Sequence, residues 1–291
     1  MGTAQSLEIR RSSASLRGEG SRARTVPVVS KSIDTTICIG CKACEVACQQ
    51  WNDLQLEPTA QTGTYQTLPT LHANYWNLIK FNEMPSSNGL SWLMRKDQCM
   101  HCDDPGCLAA CPAPGAIVQY ENGIVDVNQD ACIGCKMCET GCPFDVPRYN
   151  AKTDKMQKCT LCVDRTEVGL EPACIKACPT GCLTFGSKDD LLHAAYKRVD
   201  QLKAGGFAAA SVYDPKGVGG TSVITILAHG DHPEWYGLPN DPHVPTGVSV
   251  WKRVLRPVGV FAIFAAIAGS FAHYLSYGPK KPKEFDEENK S

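Results

Sequence analysis

Seventeen cysteines stand in a chain of 291 residues, and their intervals say more than their number. Cys132, Cys135 and Cys138 recur at every third residue, Cys142 follows, and Pro143 comes next. Cys38, Cys41, Cys44 and Cys48 repeat that spacing, with Gln49 in place of the proline. Cys99, Cys102, Cys107 and Cys111-Pro112 have a longer middle gap, filled by the turn-forming Asp103-Asp-Pro-Gly106. Cys159, Cys162, Cys174 and Cys178-Pro179 complete the set with a gap of eleven residues. Thiols this close converge on a metal more readily than they pair, and disulfide scaffolds are usually much shorter chains. The eleven-residue gap alone would suit a zinc ribbon built from two C-x2-C units. Its second pair is instead C-x3-C-Pro, the ending shared by two other groups. The spacing therefore points to iron–sulfur chemistry, in which three thiolates of a run hold one cube and the fourth belongs to a neighbouring cube.

Applied to four groups, that rule assigns every ligand. The second and third groups are joined by one hairpin, Ala116–Tyr120 and Ile124–Val127 about Asn122-Gly123, a strong two-residue turn signal. They exchange their last cysteines. Cluster 2 takes Cys99, Cys102, Cys107 and Cys142, and cluster 3 takes Cys132, Cys135, Cys138 and Cys111. The outer groups pair likewise: cluster 1 takes Cys38, Cys41, Cys44 and Cys178, and cluster 4 takes Cys159, Cys162, Cys174 and Cys48. Four [4Fe–4S] clusters then form a row. The fold class is α+β: two nested two-cluster ferredoxin-like modules, with an inner module of about 95–146 inserted in an outer one over 33–186. Lys42, Lys136, Lys158 and Arg148 lie beside ligands in sequence and are candidates to tune potentials, since positive charge favours a reduced cluster. Cys182 is left over and reads as a small core residue on a short strand, Thr180–Phe185.

The remaining chain supplies scaffold and anchor. Residues 1–32 form a polar arm; Arg10-Arg11 faintly echoes a twin-arginine signal but lacks the apolar run. Tyr75–Phe81 and Leu90–Arg95 read as strands joined through Pro85–Gly89, after a polar insertion that begins at Trp51. Residues 187–250 form a helix and strand extension with a partner-contact loop. Ser187 and Asp190 resemble a capping box opening a helix to about Lys203, and Gly205-Gly206 stops it. Ser211–Tyr213 and Thr221–Ala228 read as strands. His229, His232 and His243 follow among prolines and glycines, at spacings that fit no ordinary zinc pattern. Residues 251–279 contain a transmembrane helix, since Val258–Tyr277 has no charged residue and suffices to cross a core of about 30 Å. His273 lies within it, a candidate haem ligand or quinone-side donor. Basic residues flank both ends (Lys252, Arg253, Arg256; Lys280, Lys281, Lys283), so charge does not orient the span. Residues 280–291 are a charged tail. With 29 basic and 30 acidic residues, nothing favours nucleic acid. No phosphate loop or nucleophile elbow is present, so the chain conducts electrons without a catalytic site of its own.

Four cysteine groups in this order resemble the iron–sulfur subunits of the molybdopterin oxidoreductase family. Further stretches narrow the resemblance: Thr36–Cys44, Trp51-Asn-Asp53, Arg95-Lys-Asp97, Cys159–Arg165, Tyr213–Gly220 and the span ending His273-Tyr274. Together they look like the beta subunit of a membrane-bound respiratory formate dehydrogenase. That resemblance implies a molybdenum- or tungsten-pterin alpha subunit as electron source and a cytochrome b gamma subunit that passes electrons to quinone. It also implies a single-pass protein of the bacterial inner membrane, exported with a signal-bearing partner, with its cluster domain periplasmic. The alternatives are the iron–sulfur subunit of a hydrogenase or another respiratory molybdoenzyme, and a zinc-bound structural docking module.

Overall fold

The computed structural model describes residues 7–13, 26–57, 59–86 and 89–278. The charged tail, its lysines 280, 281 and 283, and much of the N-terminal arm lie outside the described residues. The chain divides into two compact units, Met1–Val248 and Ser249–Ser291.

The first unit opens with strands β1 (Ile9–Ser12) and β2 (Val29–Asp34), then helix α1 (Ala43–Trp51). A hairpin of β3 (Asn77–Ser86) and β4 (Gly89–Gln98) follows. Next come α2 (Gly106–Ala110), β5 (Ile117–Tyr120), β6 (Val125–Val127), α3 (Met137–Thr140), β7 (Arg148–Asn150) and β8 (Lys155–Gln157). Then α4 (Val163–Thr166), α5 (Ala173–Lys176), β9 (Leu183–Ser187), α6 (Lys188–Ala204), β10 (Ser211–Tyr213) and β11 (Val223–Leu227) complete its framework, with a short α7 (Thr246–Val250) at the junction of the units. The second unit carries α8 (Arg256–Tyr277), preceded by a π-helical turn, Trp251–Leu255.

Residues 29–32, read from sequence as part of a polar arm, are instead the heart of a sheet ordered β10-β11-β2-β9. Here β2 runs parallel to β11 and antiparallel to β9. Strand side chains alternate between faces. On one face Asp34 meets Arg198 of α6 (Oδ2 to Nε 2.8 Å), and α6 buries Ala195, Val199 and Leu202 with Ile224 and Ile226 of β11. The opposite face offers Lys31 and Ile33 to the cysteine-lined interior. The β3–β4 hairpin supplies a second wall. Its register pairs Asn77 with Gln98 and Ile79 with Lys96, so these four share a face. The opposite face holds Lys80 and Arg95, both paired to Asp97 at 3.0 Å. Residues 9–12 also lie within the arm as read, yet β1 adds to the β5–β6 hairpin to make a three-stranded sheet. There Arg11 donates to Gln119 Oε1 (2.6 Å) and to Asp103 O (2.6 Å), a structural task for half of the Arg-Arg pair.

The capping reading of α6 holds. Ser187 Oγ accepts from Asp190 N at 3.2 Å, and the Asp190 carboxylate accepts the serine hydroxyl at 2.6 Å. In the second unit, α8 has 22 residues and mean hydropathy 1.8 over its most apolar window. At 1.5 Å per residue it is about 33 Å long, enough to cross a membrane. Its side chains are exposed throughout, unlike those of a helix in a soluble core.

Removing the Ser187 hydroxyl leaves an orphan N–H at the helix start. We expect Ser187→Ala to cost about 1 kcal/mol of local stability. Hydrogen exchange should report it as faster exchange in the first turn of α6, with β7 and β8 unchanged.

Candidate iron–sulfur sites

The cysteine groups share a local plan, a loop and then a short helix. Cys44 and Cys48 lie on α1, Cys107 on α2, Cys138 on α3 and Cys174 on α5. Each loop turns through left-handed residues. Gly40 and Lys42 (φ 64° and 61°) recur almost identically as Gly134 and Lys136 (φ 66° and 62°). In the other two groups His101, Leu161 and Cys162 take that role. Non-glycine residues pay roughly 1–2 kcal/mol for this conformation. The loops wrap so tightly that the cost is met at every group, as strain often is at functional sites.

The fold then gathers cysteines from different groups. One cavity is lined by Cys38, Cys41, Cys44 and Cys178, together with Cys182. A second is lined by Cys48, Cys159, Cys162 and Cys174. A third is lined by Cys99, Cys102, Cys107 and Cys142. The last four thiols also neighbour one another: burial, then Cys111, Cys132 and Cys135, push Cys138 up to about 12. Burial raises Cys111 as well, with Cys135 and Cys132 adding to it. Cysteines far apart in sequence thus stand together, three from one group and one from its companion.

Cations face these sites from strands that spacing alone does not flag. Lys31, Lys96 and Lys158 are 0%, 2% and 3% exposed. Lys31 Nζ donates to Cys174 Sγ at 3.2 Å and to Gln98 Oε1 at 2.8 Å. Lys96 Nζ donates to the same Gln98 oxygen at 2.5 Å and lines both of the first two cavities. Lys158 Nζ donates to the carbonyls of Val125 and Cys159 and lines the third. Burial works against the Lys31 ammonium, yet the neighbouring Cys174, Cys159 and Cys162 hold its pKa above the ordinary value. Lys158 is raised in the same way against burial by Cys99, Asp126, Cys107 and Cys159. Of the four cations singled out by sequence, only Lys158 is buried, although Lys42 also lines the first cavity. Lys42 donates to Tyr65 O (2.5 Å), Lys136 stands over the Tyr149 ring (4.0 Å), and Arg148 pairs with Asp145 (2.7 Å). His101 is a further buried donor that spacing misses. Its Nδ1 accepts from Val125 N–H at 3.1 Å, burial holds it well below the usual imidazole range, and Nε2 has no partner among the described residues.

Other sequence motifs brace the sites. Trp51 Nε1 donates to Asp164 Oδ2 (2.7 Å) while the Arg165 guanidinium lies 4.1 Å over the indole, so the first and fourth groups clasp each other. The Tyr213–Gly220 stretch cradles the long gap of the second group: Asp103 N–H donates to Gly220 O (2.9 Å) and Asp104 N–H to Val218 O (2.8 Å). Gly219 and Gly220 adopt φ 77° and 97°, and a Cβ on either would press on Asp103 or Asp104. Cys182, read as core, is buried as expected but also lies 3.5 Å from Cys178 Sγ in the first cavity. Its S–H holds the Cys38 thiol below the usual range. The three loop histidines go to separate partners: His229 to the Tyr236 hydroxyl (3.0 Å), His232 to Glu234 (2.8 Å) and the Trp235 ring, His243 to Asp241 O (3.0 Å). His273 sits exposed on α8, its ring 5.0 Å from Tyr277.

The donor set fits a cubane better than a single ion. The thiols ring cavities, and among the described residues no three His, Cys, Asp or Glu side chains group as one ion requires. Buried cations and the free His101 Nε2 suit an anionic, sulfur-rich occupant. Such a chain is an iron–sulfur electron-transfer protein. The family model described as a 4Fe-4S dicluster domain matches it twice, over residues 37–116 and 90–188. That described as formate dehydrogenase N, transmembrane, matches residues 244–287. The nitrate-inducible formate dehydrogenase iron–sulfur subunit of Escherichia coli K12 is 51% identical over 90% of this chain and 89% of its own length. The formate dehydrogenase iron–sulfur subunit of Haemophilus influenzae is 50% identical over 89% and 84%. The hydrogenase-2 operon protein HybA of Escherichia coli O157:H7 is more distant, at 30% over 79% and 80%. The chain belongs to the formate dehydrogenase iron–sulfur subunits. Its cofactors are four [4Fe–4S] clusters, and its role is electron transfer.

Gly134 offers a direct check on the loop geometry. A Cβ there would stand 2.5 Å from Asp154 O, at a φ that side chains avoid. Gly134→Ala should cost more than about 1 kcal/mol. Iron and acid-labile sulfide per chain should fall relative to Gly63→Ala, whose surroundings are open.

Proposed function

We propose that the four cysteine sets hold the four clusters as two nested two-cluster modules. Site 1 is Cys38, Cys41, Cys44 and Cys178; site 2 is Cys99, Cys102, Cys107 and Cys142. Site 3 is Cys111, Cys132, Cys135 and Cys138; site 4 is Cys48, Cys159, Cys162 and Cys174. The carrying observation is that three cavities are each ringed by three cysteines of one group and one of another. When bound, a cluster supplies a one-electron carrier whose potential follows charge, burial and hydrogen bonds to sulfur.

Neighbouring thiols order the sites. Cys44 of site 1 interacts with Cys174 of site 4, Cys99 of site 2 with Cys159 of site 4, and Cys107 of site 2 with Cys138 of site 3. The row is therefore 1, 4, 2, 3. Exposure supports the two ends as entry and exit. Cys41 and Cys135 are the exposed cysteines, and they belong to the terminal sites. Each is flanked by exposed apolar side chains, Ile37 and Ile39 at one end, Ile133 and Met137 at the other. Apolar rims around a buried redox site suit docking to another subunit.

The partners that fit are a pterin-bearing catalytic subunit oxidising formate at one end and a cytochrome b subunit passing electrons to quinone at the other. The α8 span would anchor the chain in the bacterial inner membrane, with the clusters on the periplasmic side. The domain reading becomes a cluster region of 33–186 joined by strands β1 and β2, then extension 187–250, span 251–279 and tail 280–291. The greater identity to formate dehydrogenase subunits than to the hydrogenase-operon protein favours formate as electron source.

Purified complex should contain about sixteen irons and as much labile sulfide per copy of this chain, beyond those of its partners. Stoichiometric zinc without sulfide would sink the reading. Cys138→Ser should remove about four irons and stop formate-driven quinone reduction, while formate oxidation by an artificial dye survives. At site 1 the two candidate fourth thiols are separable: Cys178→Ser should lose a cluster, whereas Cys182→Ala should keep all four. Loss in Cys182→Ala and retention in Cys178→Ser would reverse the assignment.

A further inference from the structure

Three buried ammonium groups remain without an explanation in the protein's own charges. Among the described residues Lys31, Lys96 and Lys158 make no ion pair with a carboxylate; their direct partners are Gln98, backbone carbonyls and one cysteine sulfur. Asp126 acts through space on Lys158, and Glu45 responds to Lys96. An ammonium out of water is stable only beside a compensating anion. Their placement is selective. Lys96 lines the cavities of sites 1 and 4 together. Lys31 lines site 4 while also acting on Cys44 of site 1 and Cys99 of site 2. Lys158 lines site 2 and acts on Cys99 and Cys107, and its Nζ also donates to the carbonyl of Cys159 of site 4 at 2.9 Å. At site 3 Lys155 donates to the carbonyl of Cys132 from a half-buried position, and Lys136 stays exposed over Tyr149.

We propose that Lys31, Lys96 and Lys158 are shared counter-cations: Lys31 and Lys96 serve the junction of sites 1 and 4, Lys158 that of sites 4 and 2. This rests on the cluster assignment above. A cation between two sites stabilises an electron on either one. It therefore raises the potentials of both while leaving the difference between them small. Gln98 holds the first pair in register, since one amide oxygen accepts from both ammonium groups. Lys31 and Lys96 come from facing strand walls, so the junction depends on how β2 packs against the β3–β4 hairpin. Sites 1, 4 and 2 then form an electrostatically levelled segment, and site 3 stands apart with its own potential.

The test is a redox titration of the intact complex followed by electron paramagnetic resonance, with signals assigned from the Cys→Ser variant of each site. Lys31→Met should move the midpoints of sites 4 and 1 to more negative values and leave site 3 in place. Lys158→Met should do so for sites 2 and 4. Lys31→Arg and Lys158→Arg, which keep the charge, should restore wild-type midpoints. Should Lys31→Met lose iron, Lys96→Met reports on the same pair of sites. Equal shifts at all four sites, or equal shifts in the Met and Arg variants, would overturn the proposal. Iron and sulfide content of the wild-type complex separates that failure from failure of the cluster assignment, because it does not depend on the lysines.

Discussion

The structure is governed by the burial of negative charge. Sixteen thiols in four sets, most of them buried, are stable as thiolates only where cations or hydrogen-bond donors face them. The scaffold is arranged to supply these. Strand β2, central in its sheet, carries Ser30, Lys31, Ser32 and Asp34, every one of them buried. A strand so placed would normally be rich in Val and Ile. Here one face must neutralise sulfur and the other must bond α6. The apolar core is correspondingly divided: three of its four clusters contain cysteines, and only the packing of α6 on β11 is free of them. A protein whose core is built around its cofactor couples folding to cofactor binding, as metal-centred domains do.

Duplication explains much of the economy. The backbone of Gly40 and Lys42 recurs at Gly134 and Lys136 to within a few degrees in φ, though the two loops are more than ninety residues apart. Both loops carry an exposed cysteine, Cys41 in one and Cys135 in the other. The other two loops differ in sequence, through His101 and through Leu161-Cys162, and bury every cysteine they carry except half-buried Cys178. In the proposed row, interior sites need insulation from water and terminal sites need access to a partner, and one loop type would serve each.

Sequence made the cysteine sets legible because ligand spacing is a local property. The hairpins, the α6 cap and the apolar span were legible for the same reason: Asn122-Gly123, Ser187 and the charge-free run about Val258–Tyr277 each act within a few residues. What stayed hidden was tertiary. Residues 29–32, the first four of the strand, show no apolar alternation, so they read as arm and not as part of the central strand. Strand β1 is held by Arg11 reaching residues some ninety to a hundred positions away, which no window captures. Cys182 looked like filler because its distance to Cys178 across the Pro179 turn is set by how β9 meets the first cavity.

The cations carry that lesson furthest. Lys42 and Lys136 neighbour ligands in sequence, yet each sits at the left-handed start of a helix whose inward turn is taken by cysteines, and each ammonium finds an outside partner. Lys31 and Lys96 are seven and three residues from the nearest cysteine, yet they reach the cavities because their strands aim alternate residues inward. Adjacency along the chain therefore picks out the three cysteines that one loop brings to a cavity. It does not predict the electrostatic field at the sulfur, which is made by whichever elements pack over the loop. In this chain the cysteine groups can be read from one segment at a time, whereas the charges that face the cavities belong to the assembled sheet and hairpin.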